Sequence, residues 1–288
     1  MHYKWVMLAS VVCLLVAYGL LYLYPTQPMH IKILEALKTG PDPAWVYEKN
    51  GLRCLSFQHP SKGYGEQSCM LLENPEVPVF KYQKMLMGAF YLQPEPRNAL
   101  MIGLGGGMIV KQLEHLAPGI KIDIVEFNPD IVMLAKKYFD FKESATLKVH
   151  VMDGIEYVKQ AHQAKKHYDL IITDAFSQDY IPIAFLKEAF MVQLRDLLSE
   201  DGVLAMNTFS SSATYTYETH LAETVFKEFY NLPDRNRIIL AMRQPLPSHT
   251  EVAKRAERWE PEFKALGMSK GWLLPLFIHT KAPERSPA

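Results

Sequence analysis

The stretch Ala99-Leu100-Met101-Ile102-Gly103-Leu104-Gly105-Gly106-Gly107-Met108 decides the fold. Its four apolar residues suit a buried strand, and the glycines that follow let the backbone turn tightly and approach a ligand with no Cβ in the way. Over residues 108–116 the apolar positions return at helical spacing, so the stretch reads as strand, Gly-rich turn and helix. The unit then repeats. Apolar runs at 122–126, 147–151, 169–173 and 203–207 alternate with helical segments at 129–138, 155–164 and 183–198. Such alternation predicts βαβ crossovers and a doubly wound, mostly parallel, Rossmann-like α/β sheet with helices on both faces. Ligands of such sheets bind at the carboxyl ends of the strands.

Outward from this core, short apolar runs at 46–48, 52–57 and 67–72, separated by Gly, Pro, Asn and Ser, predict a small antiparallel β module. A helix over 79–91 follows and is ended by Pro94 and Pro96. Residues 31–37, closed by Gly40 and Pro41, read as a short amphipathic linker. After the repeats come a helix over 219–230, a run at 237–242, a helix near 252–266, a final run at 272–278 and a polar tail from Lys281 to Ala288. The chain divides into residues 1–29, a membrane anchor; 30–96, a linker and small β module with a helix; 97–280, the cofactor domain; and 281–288, the tail.

Residues 5–24 carry no charge and are long enough to cross a membrane as a helix. The length exceeds the usual signal-peptide core, and no A-x-A pattern precedes Pro25-Thr26-Gln27-Pro28, so the sequence predicts an N-terminal transmembrane helix that anchors the protein in the membrane. Lys4 lies before the span and Lys32 and Lys38 after it, which leaves the side open. Cys54 and Cys69 flank a turn centred near Ser61-Lys62, where symmetric pairing would bring them within disulfide reach. A disulfide and a pair of buried free thiols are both compatible with that spacing.

The function classes narrow quickly. Thirty-one basic and thirty-one acidic residues cancel, with no Lys/Arg run longer than a pair, so nucleic acid is not an expected partner. The histidines are scattered without ligand spacing, and no metal is expected. Gly-x-Ser-x-Gly is absent, which argues against a serine hydrolase on this sheet.

What remains is a set of strand ends. Gly103 to Gly107 end the first run, Glu126 ends the second, Asp153-Gly154 follow the third and Asp174 follows the fourth. Glu126 stands 23 residues beyond Gly103, where a carboxylate can accept hydrogen bonds from ribose hydroxyls. Asp153 can meet an adenine amino group from the next turn. A lone acid in such a turn caps a helix as readily as it binds a ligand; the four consecutive ends together point to an adenosyl site. A nicotinamide enzyme shares the glycines and Glu126 but does not call for Asp153 and Asp174.

The order Leu100 to Gly107, Val125-Glu126-Phe127-Asn128-Pro129, Met152-Asp153-Gly154 and Asp174-Ala175-Phe176-Ser177, with Tyr82-Gln83 on the preceding helix, resembles the spermidine synthase (polyamine aminopropyltransferase) family over roughly residues 45–230. The resemblance implies a class I methyltransferase fold and either decarboxylated S-adenosylmethionine or S-adenosylmethionine as co-substrate. It implies Glu126 at the ribose, Asp153 and Gly154 at the adenine, Gly103, Gly105, Gly106 and Gly107 against the methionine-derived part, and Asp174 and Tyr82 as catalytic residues. It also implies a small-molecule amine acceptor and a possible homodimer.

Three departures from the family pattern remove negative charge. Gly106 stands where the family has an Asp, Ser177 where it has a second Asp, and Pro78-Val79-Phe80-Lys81 where it has an acidic pair before the tyrosine. Asp179, two residues further on, is a candidate replacement for the second. An amine dication needs carboxylates. The resemblance implies aminopropyl transfer to an amine as the expected function; the missing carboxylates favour the alternative of methyl transfer from S-adenosylmethionine, and an inert binding or scaffold protein of the same fold is a further alternative.

Overall fold

The computed structural model describes residues 31–37, 43–176 and 181–282. Strands β1 (Lys32–Leu37), β2 (Ala44–Lys49), β3 (Leu52–Ser56) and β4 (Glu66–Leu71) form an antiparallel sheet in chain order. Asn50-Gly51 makes the two-residue turn between β2 and β3, both at positive φ (51° and 75°), the geometry that an Asn-Gly hairpin favours. Between β3 and β4 the register slips, so that Leu55 faces Ser68 while Ser56 faces Glu66 and Gln67 is bulged out. Cys54 and Cys69 lie directly opposite, their Cα atoms 4.1 Å apart, and are joined by a disulfide. One face of this sheet, with Val46, Leu55 and Met70, packs on Met108, Ile131, Leu134 and Phe139 of the larger domain.

Helix α1 (Lys81–Leu86) and a 3₁₀ turn (Met87–Tyr91) lead into that domain. Its elements in chain order are β5 (Asn98–Ile102), α2 (Met108–Leu116), β6 (Lys121–Glu126), α3 (Pro129–Tyr138), β7 (Leu147–Val151), α4 (Gly154–Gln163), β8 (Tyr168–Thr173), α5 (Glu188–Leu197), β9 (Leu198–Phe209), α6 (Tyr215–Phe226), β10 (Glu228–Pro233), β11 (Asn236–Met242), α7 (His249–Ala265), α8 (Lys270–Leu273) and β12 (Ile278–Lys281). The sheet order is β12-β10-β11-β9-β8-β5-β6-β7. β9, β8, β5, β6 and β7 are parallel, while β11, β10 and β12 add antiparallel pairs.

The strands alternate their side chains into two apolar layers. Ala99, Met101, Ile122 and Ile124 face α2, α3 and α7, and Leu100, Ile102, Val125 and Ile171 face α4, α5 and α6. Near-continuous apolar strands are what a sheet covered on both faces requires. Chain order reverses at β5, whose neighbours are β6 and β8, and a crevice opens there at the carboxyl ends.

The structure corrects several expectations. The stretch read as a linker is strand β1, because its backbone pairs with β2. The sheet is mixed, with an antiparallel flank of three strands. The helix expected at 219–230 stops at Phe226, where Lys227 takes φ 72°, and the rest of that stretch begins β10. The final run is a helical turn before β12, and Lys281, assigned to the tail, pairs with Glu228. Membrane anchoring is corrected too: among the described residues no helix is long and apolar enough to cross a membrane. Residues 5–24, on which that expectation rested, lie outside the described residues, as do Ser177, Asp179 and residues 283–288.

Candidate active site

A cavity of about 1040 Å³ occupies the crevice, walled by the small sheet on one side and the ends of β5, β6, β8 and β9 on the other. Its floor is the first Gly-rich turn. Gly103 has φ 96°, and a Cβ there would lie 2.3 Å from the Asp174 carbonyl oxygen, so only glycine lets the β5 and β8 turns approach so closely. Gly103 N–H donates to Val125 O (2.8 Å) and Asp174 N–H donates to Ile102 O (2.9 Å), which ties the three strand ends together.

Each expected site residue has a definite place. Tyr82, Gly103, Gly105, Glu126, Asp153, Gly154 and Asp174 line the cavity. Gly106 and Gly107 do not. Gly106 lies beneath β4, and a Cβ on it would meet Ser68 Oγ at 2.7 Å and the Phe139 ring at 3.0 Å; Gly107, at φ 77°, caps α2 against Phe141. The position at which the family pattern has an acid is thus filled from outside by a serine of the small sheet.

Glu126 accepts from the backbone N–H of Leu104 (3.0 Å, Oε2) and of Asn128 (2.9 Å, Oε1). Burial pushes its carboxyl above the usual range against those amides. Asp153 accepts on Oδ1 from Ile155 N–H (2.8 Å) and Glu156 N–H (3.1 Å), which makes it the N-cap of α4 while it also borders the cavity.

Asp174 caps no described helix. Its Oδ2 accepts from the Tyr82 hydroxyl (3.2 Å) and its Oδ1 from Asn207 Nδ2 (2.7 Å). Asn236 Nδ2 in turn donates to Asn207 Oδ1 (3.0 Å) and fixes the amide orientation. Burial pushes the Asp174 carboxyl up to about 6, with the two hydrogen bonds opposing. Burial beside that charge holds the Tyr82 hydroxyl well above its ordinary value, so it remains a donor.

Sequence reasoning passed over Asn207, Asn236, Asp234, Arg235 and Glu66, all of which border the cavity. Asn207 ends the fifth apolar run, so the strand-end rule alone would have found it. Asn236 and Asp234 come from the antiparallel flank, whose place beside the site was not in the pattern. Lys81 Nζ and Asp234 Oδ2 form an ion pair of 3.2 Å at the rim. Among the described residues no group of three or more His, Cys, Asp or Glu is placed to hold a metal ion.

The chain matches the family model of the spermine/spermidine synthase domain over residues 79–234. It is 37% identical over 217 residues to the polyamine aminopropyltransferase of Vibrio vulnificus (strain CMCP6), covering 74% of this chain and 72% of that one. Human methyltransferase-like protein 13 in complex with SAH superposes with a TM-score of 0.56 at 25% identity, over 66% of this chain and 91% of that one. Spermidine synthase in complex with the transition state analogue AdoDATO superposes with a TM-score of 0.66 over 86% of both chains; at 18% identity this likeness bears on the fold alone.

Proposed function

This chain belongs to the spermine/spermidine synthase family, and we propose that it transfers an aminopropyl group from decarboxylated S-adenosylmethionine to a small-molecule amine. The observation that carries this reading is the Tyr82–Asp174–Asn207 arrangement, a buried carboxylate held from two sides at the mouth of the Gly-rich turn.

The residues fit an adenosyl donor. Glu126, oriented by backbone amides that include those of Leu104 and Asn128, borders the cavity, where its carboxylate oxygens can accept from ribose hydroxyls. Asp153 uses only Oδ1 as a cap and keeps Oδ2 for the adenine amino group. Gly103 and Gly105 give the methionine-derived part room along the backbone. The cavity is at the upper end of the range for small-molecule sites, which suits a donor and an acceptor together.

In the transfer, the acceptor nitrogen forms a bond to the propyl carbon as that carbon's bond to the sulfonium sulfur breaks, and a neutral thioether leaves. The nitrogen must also lose a proton. Asp174, ionised above about pH 6, accepts it or orients the lone pair, and Asn207 and Tyr82 keep the carboxylate aimed. Burial raises the basicity of the group that does this work.

One observation favours a second reading, methyl transfer from S-adenosylmethionine: at Gly106 no carboxylate is available for the donor's amine, and Ser68 occupies the space. Calorimetry separates the two. Tighter binding of decarboxylated S-adenosylmethionine than of S-adenosylmethionine is the expected result; the reverse preference would establish the methyltransferase reading, and binding of neither would overturn both.

A further inference from the structure

Five carboxylates border the cavity among the described residues. Four already have partners of their own. Glu126 and Asp153 hold backbone amides, Asp174 holds Tyr82 and Asn207, and Asp234 is paired with Lys81. The fifth, Glu66, accepts one hydrogen bond, from the Tyr47 hydroxyl to Oε1 at 2.8 Å, and no Lys, Arg or His among the described residues lies within ion-pair distance of it.

The β3–β4 bulge decides where that charge goes. Were the ladder regular, Glu66 would share the face of Ser68 and Met70, against the Gly-rich turn and α2. With Gln67 bulged out, Glu66 pairs with Ser56 and stands instead on the face of Tyr47, Cys54 and Cys69. That face packs against Val79 and Phe80, and the Phe80 ring stacks on Tyr82 with centroids 5.9 Å apart. Glu66 therefore belongs to the wall that carries Tyr82, on the acceptor side of Asp174, while Ser68 faces the donor side. Tyr47 is 2% exposed, so the carboxylate is braced from behind, and the disulfide at Cys69 pins the strand three residues on.

We propose that Glu66 determines acceptor specificity by binding a primary ammonium at the far end of a diamine, in place of the acids that the family pattern has elsewhere. This rests on the aminopropyl-transfer reading for its kinetic test but has a binding test of its own. A carboxylate with one free oxygen, no protein cation and a neutral phenol behind it meets the ammonium charge at small desolvation cost, and its rigidity adds geometric selectivity.

The test compares 1,4-diaminobutane with butylamine in the wild type and in Glu66→Gln, which removes the charge and keeps the shape. The expected result is a KM for the diamine raised tenfold or more, with kcat, the KM for butylamine and the affinity for methylthioadenosine unchanged; Tyr47→Phe gives the same selectivity at smaller amplitude. An unchanged diamine KM, or an equal rise for both amines, would overturn the proposal while leaving aminopropyl transfer intact. Weakened binding of decarboxylated S-adenosylmethionine relative to methylthioadenosine, with the diamine KM unmoved, would assign Glu66 to the donor and overturn it as well. Calorimetry of the diamine in the presence of methylthioadenosine covers a chain with no turnover: binding lost in Glu66→Gln supports the anchor and counts against the transfer reading alone, and no binding to the wild type overturns the anchor.

Discussion

Asp174 carries a negative charge where burial opposes it, and this shapes both activity and stability. Its folded pKa of about 6 exceeds the ordinary 3.8, so the folded protein holds that proton more tightly than the unfolded chain. The resulting stabilisation is full below about pH 4 and lost as pH rises through 6. Asp174→Asn removes the buried charge, and we expect it to be more stable than the wild type at pH 8, by on the order of 2–3 kcal/mol and with a correspondingly higher Tm, the difference being gone at pH 4. The same variant loses about 10²- to 10⁴-fold in kcat while donor affinity is spared. In the wild type kcat/KM climbs with pH through about 6, and that limb is missing from the variant. An unchanged rate would remove Asp174 from the mechanism, and equal melting at both pH values would contradict its buried charge.

At the level of elements, the small sheet forms the roof of the site, with Ser68 seated on Gly106 and Glu66 re-aimed by a bulge. The disulfide closes a loop with a sequence separation of 15, which by loop entropy stabilises the fold by about 3 kcal/mol. Reduction by a dithiol, or Cys54→Ser with Cys69→Ser, is expected to lower Tm by roughly 6–12 °C in differential scanning calorimetry. Identical melts with and without reductant would show that the thiols are not bonded. On the other side of the sheet, α6 is tied to β11 by Arg237 and Glu218, 1% and 0% exposed, with Arg237 also donating to Asn231 and Thr219. That brace holds the antiparallel flank from which Asn236 reaches the site.

At the scale of the molecule, the cavity lies between the two sheets, so a ligand that fills it draws on both. Methylthioadenosine at a hundred times its Kd is expected to stabilise the protein by about 2.7 kcal/mol, raising Tm by roughly 5–11 °C and slowing amide exchange in β4 as well as in the Gly-rich turn. Protection confined to the turn would mean that the small sheet is no part of the donor site. The sequence determined by itself the βαβ core and the strand ends at which Gly103, Glu126, Asp153 and Asp174 fall, because period and Gly-rich turns are local properties of the chain. It also brought Cys54 and Cys69 within reach of each other without choosing between thiols and a bond. Only the tertiary structure decided that residues 32–37 are a strand, that 228–233 pair with β11, that Asn207 and Tyr82 grip one carboxylate and that Glu66 turns toward the cavity. Each of these depends on partners far along the chain, and a one-residue change of register, invisible in composition and spacing, moves a side chain to the other face of its sheet.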